Sequence, residues 1–350
     1  MWKKIILLCL FILLPFTMLV ACTGNEEEDL NKPAADKPKE KTTSSDDNEP
    51  GAKVYVNNRD AGNIQVIDSS TNEVLDTIRV GEKPTYNEIG PKGKYVYVAN
   101  SQSEDVSIIS TDNNEVVKTI PVGKTPKGIN FTPDGDWVFV INEGEGTVTA
   151  IDTATMEKEA TIEVGDKPHN GIASPDGSKF YVTNTASNSV SVIDVASKKV
   201  TNTIEGIEGA PHNLNITQNG ETLLVTLTQK GELGVIDLNK EKLTATIPVG
   251  TGHHVLDITA DGKFAYVGNI GADYVSVVDM EKQKEVDQIK VGMGPHGTTI
   301  SNDGKNVYVA VTSKDQVAVI DRKENEVVKR VNVESFPFFI STLENTDVIE

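Results

Sequence analysis

One short sequence phrase recurs seven times along the chain at nearly constant spacing. Its clearest copy is residues 179–184, KFYVTN, followed by residues 190–194, VSVID. Successive copies lie 42 or 43 residues apart. A period in this range indicates one supersecondary unit stacked many times, and it therefore constrains the fold more than any other feature. The last residues of the copies are Asp68, Ser110, Asp152, Asp194, Asp237, Asp279 and Asp321.

Each repeat contains four stretches with the composition of short β-strands. In the copy that begins at Pro168 we predict strands at 170–173, 180–183, 190–193 and 200–204. Turn residues separate them, among them the sequence PDG at 175–177, where glycine supplies a backbone conformation that other residues avoid. Four short strands per repeat are typical of one blade of a β-propeller.

The recurring tetrapeptide carries a resemblance to a known family. Residues 181–184 read YVTN, and residues 97–100, 139–142 and 266–269 read YVAN, FVIN and YVGN. The chain resembles the YVTN-repeat β-propellers, a group of secreted or surface-attached bacterial and archaeal proteins. The resemblance implies the fold and a central channel lined by the first strand of each blade. It leaves the function open, because such folds serve as scaffolds, binding modules and enzymes.

The two ends of the repeat region predict how the ring closes. The region opens at residues 54–57, which read as a second strand, whereas residues 337–341 read as a first strand with no second strand after it. Pairing them would remove two open sheet edges. The sequence therefore predicts an all-β fold over residues 52–350: a monomeric seven-bladed β-propeller with four-stranded blades, closed by strands from both termini.

The first 51 residues predict export and attachment to a membrane. Residues 1–21 combine Lys3 and Lys4 with an apolar run, the pattern of a secretory signal. They end in LVAC, which resembles the lipobox of bacterial lipoproteins and implies lipidation of Cys22. Residues 22–51 are acidic and polar, and we expect a disordered tether. These features predict an extracytoplasmic protein that meets the membrane only through its lipid anchor.

Charge and cysteine content exclude several function classes. The net charge of −19 becomes −21 when Lys3 and Lys4 are removed, which argues against nucleic acid as a partner. The only cysteines are Cys9 and Cys22, so residues 23–350 hold no thiol nucleophile and no cysteine metal site.

The candidate site lies in one column of the repeat. The column follows the proline of a Val-Gly-x-x-Pro entry to the first strand, and four of the five histidines occupy it. Chain direction places these entries and the connections between second and third strands on one face, which we call the histidine face. The column consists of Thr85, Lys127, His169, His212, His254, His296 and Phe338.

Two interpretations of the histidine column remain open. Duplication can copy one tolerated histidine, whose ring then fixes the turn by a hydrogen bond. Alternatively, His169, His212, His254 and His296 could form a metal site, since neutral imidazole suits copper and zinc. A small-ligand pocket at the same mouth would add Lys127, Asn170, Asn213 and Asp257.

The sequence favours binding over catalysis. We expect a surface lipoprotein that holds an unidentified protein or small ligand at the channel mouth or on the histidine face. Copper or zinc binding or delivery through the histidines is one alternative, and a metal-dependent hydrolase or redox enzyme is another. A hydrolase would need a metal held partly by carboxylates, and the histidine column itself contains none, which disfavours that last alternative.

Overall fold

The computed structural model describes residues 52–252 and 254–343, with the side chain of His254 also outside the description. The predicted signal, Cys22 and tether therefore lie outside the described residues, and those predictions stay untested. The described chain forms seven four-stranded antiparallel sheets, as the repeat predicts. No helix long and apolar enough to cross a bilayer occurs in this part of the chain.

The strands follow one another in chain order with short connections. The first half comprises β1 (Lys53–Asn58), β2 (Asn63–Asp68), β3 (Val74–Arg79), β4 (Pro84–Ile89), β5 (Tyr95–Asn100), β6 (Asp105–Ser110), β7 (Glu115–Pro121), β8 (Pro126–Phe131), β9 (Trp137–Asn142), β10 (Thr147–Asp152), β11 (Glu157–Glu163), β12 (Pro168–Ala173), β13 (Lys179–Asn184), β14 (Ser189–Asp194) and β15 (Lys199–Ile204). The second half comprises β16 (Pro211–Ile216), β17 (Thr222–Leu227), β18 (Glu232–Asp237), β19 (Lys242–Pro248), β20 (His254–Ile258), β21 (Phe264–Asn269), β22 (Tyr274–Asp279), β23 (Lys284–Lys290), β24 (Pro295–Ile300), β25 (Asn306–Val311), β26 (Gln316–Asp321), β27 (Glu326–Asn332) and β28 (Pro337–Leu343).

The seven sheets close into a ring through one composite blade. Its strand order is β28-β1-β2-β3, so the last strand of the described chain pairs with the first, for example at Val56 and Ile340. The innermost strands contact one another around the axis in the order β28, β4, β8, β12, β16, β20 and β24. The predicted seven-bladed propeller, closed by strands from both termini, is confirmed.

Apolar packing between neighbouring blades holds the ring together. The second and third strands of each blade are buried on both faces, whereas the outer strands are largely exposed. Phe139 of β9 packs on Phe180 of β13 with 4.5 Å between ring centroids. Every sheet is covered on both sides by its neighbours, and a separate apolar cluster fills each of the seven spaces between adjacent blades.

The asparagine that ends the second strand forms a structural pair with the glycine of the entry motif in four blades. Asn184 is fully buried, accepts the Gly165 backbone N–H at 3.1 Å and donates to Ser189 and Ser191. A Cβ on Gly165 would lie 2.6 Å from Asn184 Cγ, so only glycine allows this approach. The glycine of the entry motif therefore recurs for a structural reason.

The aspartates that end six of the seven third strands are also structural, Ser110 being the exception. Asp194 accepts the Ser197 hydroxyl at 2.6 Å and the Ser197 backbone N–H at 2.8 Å, and Asp68 accepts the backbone N–H groups of Ser70 and Thr71 at 2.7 and 3.0 Å. The Ser197 hydroxyl and then its backbone N–H lower the pKa of Asp194. These bonds fix the turn into the outer strand.

Replacing Asn184 with Ala should lower the free energy of unfolding by about 2 kcal/mol, because the buried Gly165 N–H loses its acceptor. Urea unfolding followed by circular dichroism measures the change. The matched control is Asn113→Ala, since Asn113 is exposed and bonds only to Glu115; its effect should stay within about 0.5 kcal/mol. Equal effects of the two substitutions would contradict the assigned role.

Candidate functional site

The histidine column lies where the inner strands begin. β12, β16 and β24 each carry a β-bulge here, between Pro168 and Gly171 in β12 for example. A bulge re-aims the side chains beside it. His169, His212 and His296 are almost fully buried, at 6%, 4% and 1% exposure. The described histidine rings are therefore buried side chains at the start of the inner strands, with little surface exposed to solvent.

The described histidine rings stack instead of converging on a point. His169 and His212 lie face to face with 3.3 Å between centroids, and His296 stacks on Phe338 at 3.8 Å. His296 Nδ1 also lies 2.7 Å from the Phe338 carbonyl oxygen. Imidazole binds metals through lone pairs in the ring plane, and stacked rings direct these lone pairs side by side.

No observation in the described chain supports the metal hypothesis. Its residues contain no group of three or more His, Cys, Asp or Glu side chains placed to hold a metal ion. The His254 backbone begins β20, and its side chain is outside the description. Copper or zinc binding through this column stays an untested prediction.

The four predicted ligand-binding residues do not form one pocket. Lys127 Nζ lies 3.5 Å from Glu143 Oε2. Asn170 Nδ2 donates to Asn213 Oδ1 at 3.0 Å, so these two meet as expected. Asp257 lies three residues after the histidine column, whereas Asn170 and Asn213 lie one residue after it. Asp257 is therefore deeper in the channel. The structure therefore places Asn170, Asn213 and Asp257 along the channel axis, with Lys127 outside their cavity.

A tyrosine that the sequence reasoning missed crosses the channel. Tyr86 of β4 is buried, and its hydroxyl donates to Asn213 Oδ1 of β16 at 2.7 Å, from the opposite side of the ring. Its ring packs on Phe339 of β28 at 4.3 Å. These side chains separate the histidine layer from the rest of the channel. Tyr86 directly follows the histidine column, so reading the next column would have found it.

Below Tyr86 the channel widens into a cavity of about 300 Å³. All seven inner strands contribute to its wall, and it extends to Asn302 in the Asp-Gly turn after β24. The cavity therefore extends toward the face opposite the histidines. Amides, hydroxyls and two carboxylates form its polar lining: Tyr86, Glu88, Asn130, Asn170, Asn213, Asn215, Asp257, Thr298, Thr299, Asn302, Ser341 and Thr342. The histidine column holds no carboxylate, and the two that face the channel, Glu88 and Asp257, lie three positions after it.

Asp257 is fixed in the cavity wall by donors on both oxygens. Oδ1 accepts the Asn215 side-chain N–H at 3.0 Å and the Ile258 backbone N–H at 2.8 Å. Oδ2 accepts the Ile300 backbone N–H at 2.8 Å. Burial raises the pKa of Asp257, and these bonds oppose that rise. Asp257 thus joins β16, β20 and β24 while it places a carboxylate at the channel axis.

Glu88 faces the same cavity without a comparable set of donors. It forms no hydrogen bond or ion pair with any side chain or backbone group in the described ranges. Burial, with a smaller contribution from the charge on Asp257, raises the pKa of Glu88 to about 8. Glu88 is therefore largely protonated near neutral pH and ionises around pH 8, well above the pH at which most carboxyl groups ionise.

Replacing Glu88 with Gln should stabilise the protein by an amount that grows with pH. The folded pKa of about 8 exceeds the ordinary value of 4.5, so wild-type stability is lost as the pH rises through this interval. Between about pH 4 and about pH 9 the variant's advantage in unfolding free energy should grow by roughly 4–5 kcal/mol, the free energy that corresponds to a pKa of about 8 instead of 4.5.

Urea unfolding at a series of pH values measures this advantage. Glu145→Gln is the matched control, because Glu145 is exposed on the histidine face and its substitution removes the same charge. An advantage of Glu88→Gln that does not change with pH would contradict the assigned environment of Glu88.

Comparisons with known proteins agree with the fold. Residues 53–268 match the family model of the choice-of-anchor I domain, and residues 209–347 match that of the YNCE-like β-propeller. No protein among the curated sequences matches the chain.

Solved structures of diverse proteins share the architecture. Hydrazine synthase of Kuenenia stuttgartiensis has a TM-score of 0.70 at 18% identity, over 75% of this chain and 96% of that one. A functionally unknown protein from Desulfotomaculum acetoxidans has a TM-score of 0.74 at 14% identity, over 84% and 99%. The dihydro-heme d1 dehydrogenase NirN has a TM-score of 0.64 at 18% identity, over 82% and 64%. At such identities the likeness shows the fold alone.

Proposed function

Since the chain belongs to the family of β-propellers described by the choice-of-anchor I and YNCE-like models, we propose that it is a binding protein whose channel cavity holds a small polar ligand. The observation that carries this proposal is the cavity below Tyr86. It has about 300 Å³ of space, a size at the lower end of small-molecule sites, and every blade contributes to its wall.

The chemistry of the wall supports holding a ligand in a fixed orientation. Asn130 and Asn302 bring side-chain amides to the cavity, and Ser341 and Thr299 bring hydroxyls. These groups donate and accept hydrogen bonds without themselves reacting. Asn130, Thr299 and Ser341 stand on strands of a closed ring, so their positions are set before a ligand arrives, which lowers the entropy cost of binding.

Catalysis has less support than binding. Hydrazine synthase and the dehydrogenase NirN are enzymes by name, and their similarity to this chain is confined to the fold. In the cavity, Asp257 uses both oxygens to hold neighbouring strands. Glu88 is thus the one lining carboxylate with oxygens available to a ligand. One such carboxylate is enough to hold a ligand and does not by itself indicate catalysis.

We further propose that the propeller works outside the cytoplasm, attached through a lipid on Cys22. The support is the signal pattern of residues 1–21 and the lipobox-like sequence LVAC that ends at Cys22. The acidic residues 22–51 would then act as an extended tether between the anchor and the propeller. The membrane is a partner through this anchor alone.

Replacing Cys22 with Ser should release the protein from the membrane, because serine supplies no thiol for the lipid. Fractionation of expressing cells followed by immunoblotting measures the distribution, and metabolic labelling with a fatty acid measures the modification. Cys9→Ser, within the predicted signal, is the matched control and should remain lipidated. A Cys22→Ser protein that still takes up label and sediments with membranes would contradict the anchor.

Filling the cavity should abolish ligand binding while leaving the fold intact. Ile172 lines the cavity, so Ile172→Trp places an indole in the ligand's space. A library of small polar metabolites, screened by thermal shift, should contain compounds that raise the Tm of the wild type and not of this variant.

Leu75→Trp is the control, because Leu75 on the outer strand is 52% exposed and far from the channel. It should respond to the same compounds as the wild type. Compounds that stabilise all three proteins equally, or none at all across the library, would contradict binding in the channel.

A further inference from the structure

The channel cavity has a one-sided charge distribution. Two carboxylates, Glu88 from β4 and Asp257 from β20, face it from different parts of the ring. No Lys, Arg or His side chain occurs among the described residues that line it. An anionic ligand would meet repulsion here and find no positive partner, whereas a cation would meet attraction from both carboxylates.

The two carboxylates differ in whether their oxygens already accept hydrogen bonds from the protein. Asp257 accepts N–H groups from Asn215, Ile258 and Ile300, so its position is fixed and its oxygens are occupied. Glu88 has no such partner in the described chain, and its half-buried side chain lines the cavity. Where protein limits the access of water, a carboxyl group without a hydrogen-bond partner is unfavourable. A ligand that donates to Glu88 would supply the missing partner.

We infer that the channel cavity takes a small organic ammonium ion, whose N–H groups donate to Glu88 and whose polar body contacts the surrounding amides and hydroxyls. This inference rests on the proposed function and adds the chemical class of its ligand. An ammonium group brings three donors and one positive charge, which suits one free carboxylate beside uncharged acceptors such as Ser341 and Thr342.

A bare metal ion fits the cavity less well. Calcium takes about 6–8 oxygen ligands at close range, and magnesium requires an octahedral set. The donors that already occupy the Asp257 oxygens leave Glu88 as the one carboxylate free to coordinate. The cavity volume of about 300 Å³ also has room for a molecule of several heavy atoms.

Binding should be coupled to release of a proton from Glu88. The pKa of this carboxyl is raised to about 8, so near neutral pH its protonated form must lose a proton before it can pair with the cation. The other titratable groups that face it are the Asp257 carboxyl and the Tyr86 phenol, whose pKa burial raises. The affinity should therefore weaken about tenfold for each pH unit below about pH 8.

Isothermal titration calorimetry tests this with a matched pair of probes, 4-aminobutan-1-ol and butane-1,4-diol, on the protein without its signal. The first carries an alkylammonium group, which stays protonated throughout this range as a lysine side chain does. Titrations in two buffers with different ionisation enthalpies give the number of protons released. Glu88→Gln removes the carboxylate and keeps its shape, and Glu145→Gln makes the same charge change on the exposed surface.

We expect the amine to bind wild type and Glu145→Gln alike, with about one proton released at pH 7, and to bind Glu88→Gln at least tenfold more weakly. Amine binding that is unchanged in Glu88→Gln would overturn the inference. Binding of the diol as strongly as the amine, abolished by Ile172→Trp, would also overturn it while the channel remained a binding site. Binding of neither probe to wild type would overturn it as well, and the metabolite screen then decides the proposed function separately.

Discussion

The pairing of β1 with β28 is the contact on which the rest of the structure depends. It joins residues nearly 300 positions apart in sequence, such as Val56 and Ile340, and turns a row of seven sheets into a ring. Without it, two sheet edges would face solvent and the blades on either side would each lose an apolar neighbour. Asn87 of β4 reinforces the closure, since it donates to the Tyr55 carbonyl at 3.1 Å and bonds Asn57 and Ser341.

Closure also creates the channel in which the candidate site lies. Seven inner strands meet around one axis, so residues at the same repeat position come together from distant parts of the sequence. Tyr86 and Asn213 are 127 positions apart and bond across the channel. Glu88 and Asp257 share one cavity for the same reason. Burial in the ring and, to a smaller extent, the charge on Asp257 raise the pKa of Glu88.

The sequence determined the fold in detail and the site only in part. The period, the turn residues and the split strand at 54–57 and 337–341 suffice to predict seven blades and their closure, because each is a local or repeated signal. The histidine column was found in the same way, but burial by the bulged strand and stacking against neighbours are tertiary effects that no spacing reveals. The position of Tyr86 across the channel and the surroundings of Glu88 depend on which side chains of each inner strand face the channel axis. That orientation follows only from how the strands pair.

The histidine face and the channel cavity are separate parts of the structure. The stacked rings of His169 and His212 help to pack the top of the wall, together with the Lys127–Glu143 pair nearby. The asparagines below Tyr86 and the two carboxylates belong to the cavity that extends toward the opposite face. A ligand in that cavity would contact residues from every blade, which makes the whole ring its binding site.

The carbon-13 NMR titration of the Glu88 carboxyl, recorded without ligand and with 4-aminobutan-1-ol, tests this account most directly. It predicts a midpoint near pH 8 for the free protein, and a clear fall in that midpoint when the ammonium probe is present. A midpoint near the ordinary glutamate value of about 4.3, unchanged by the probe, would contradict both the enclosed carboxylate and its role in binding.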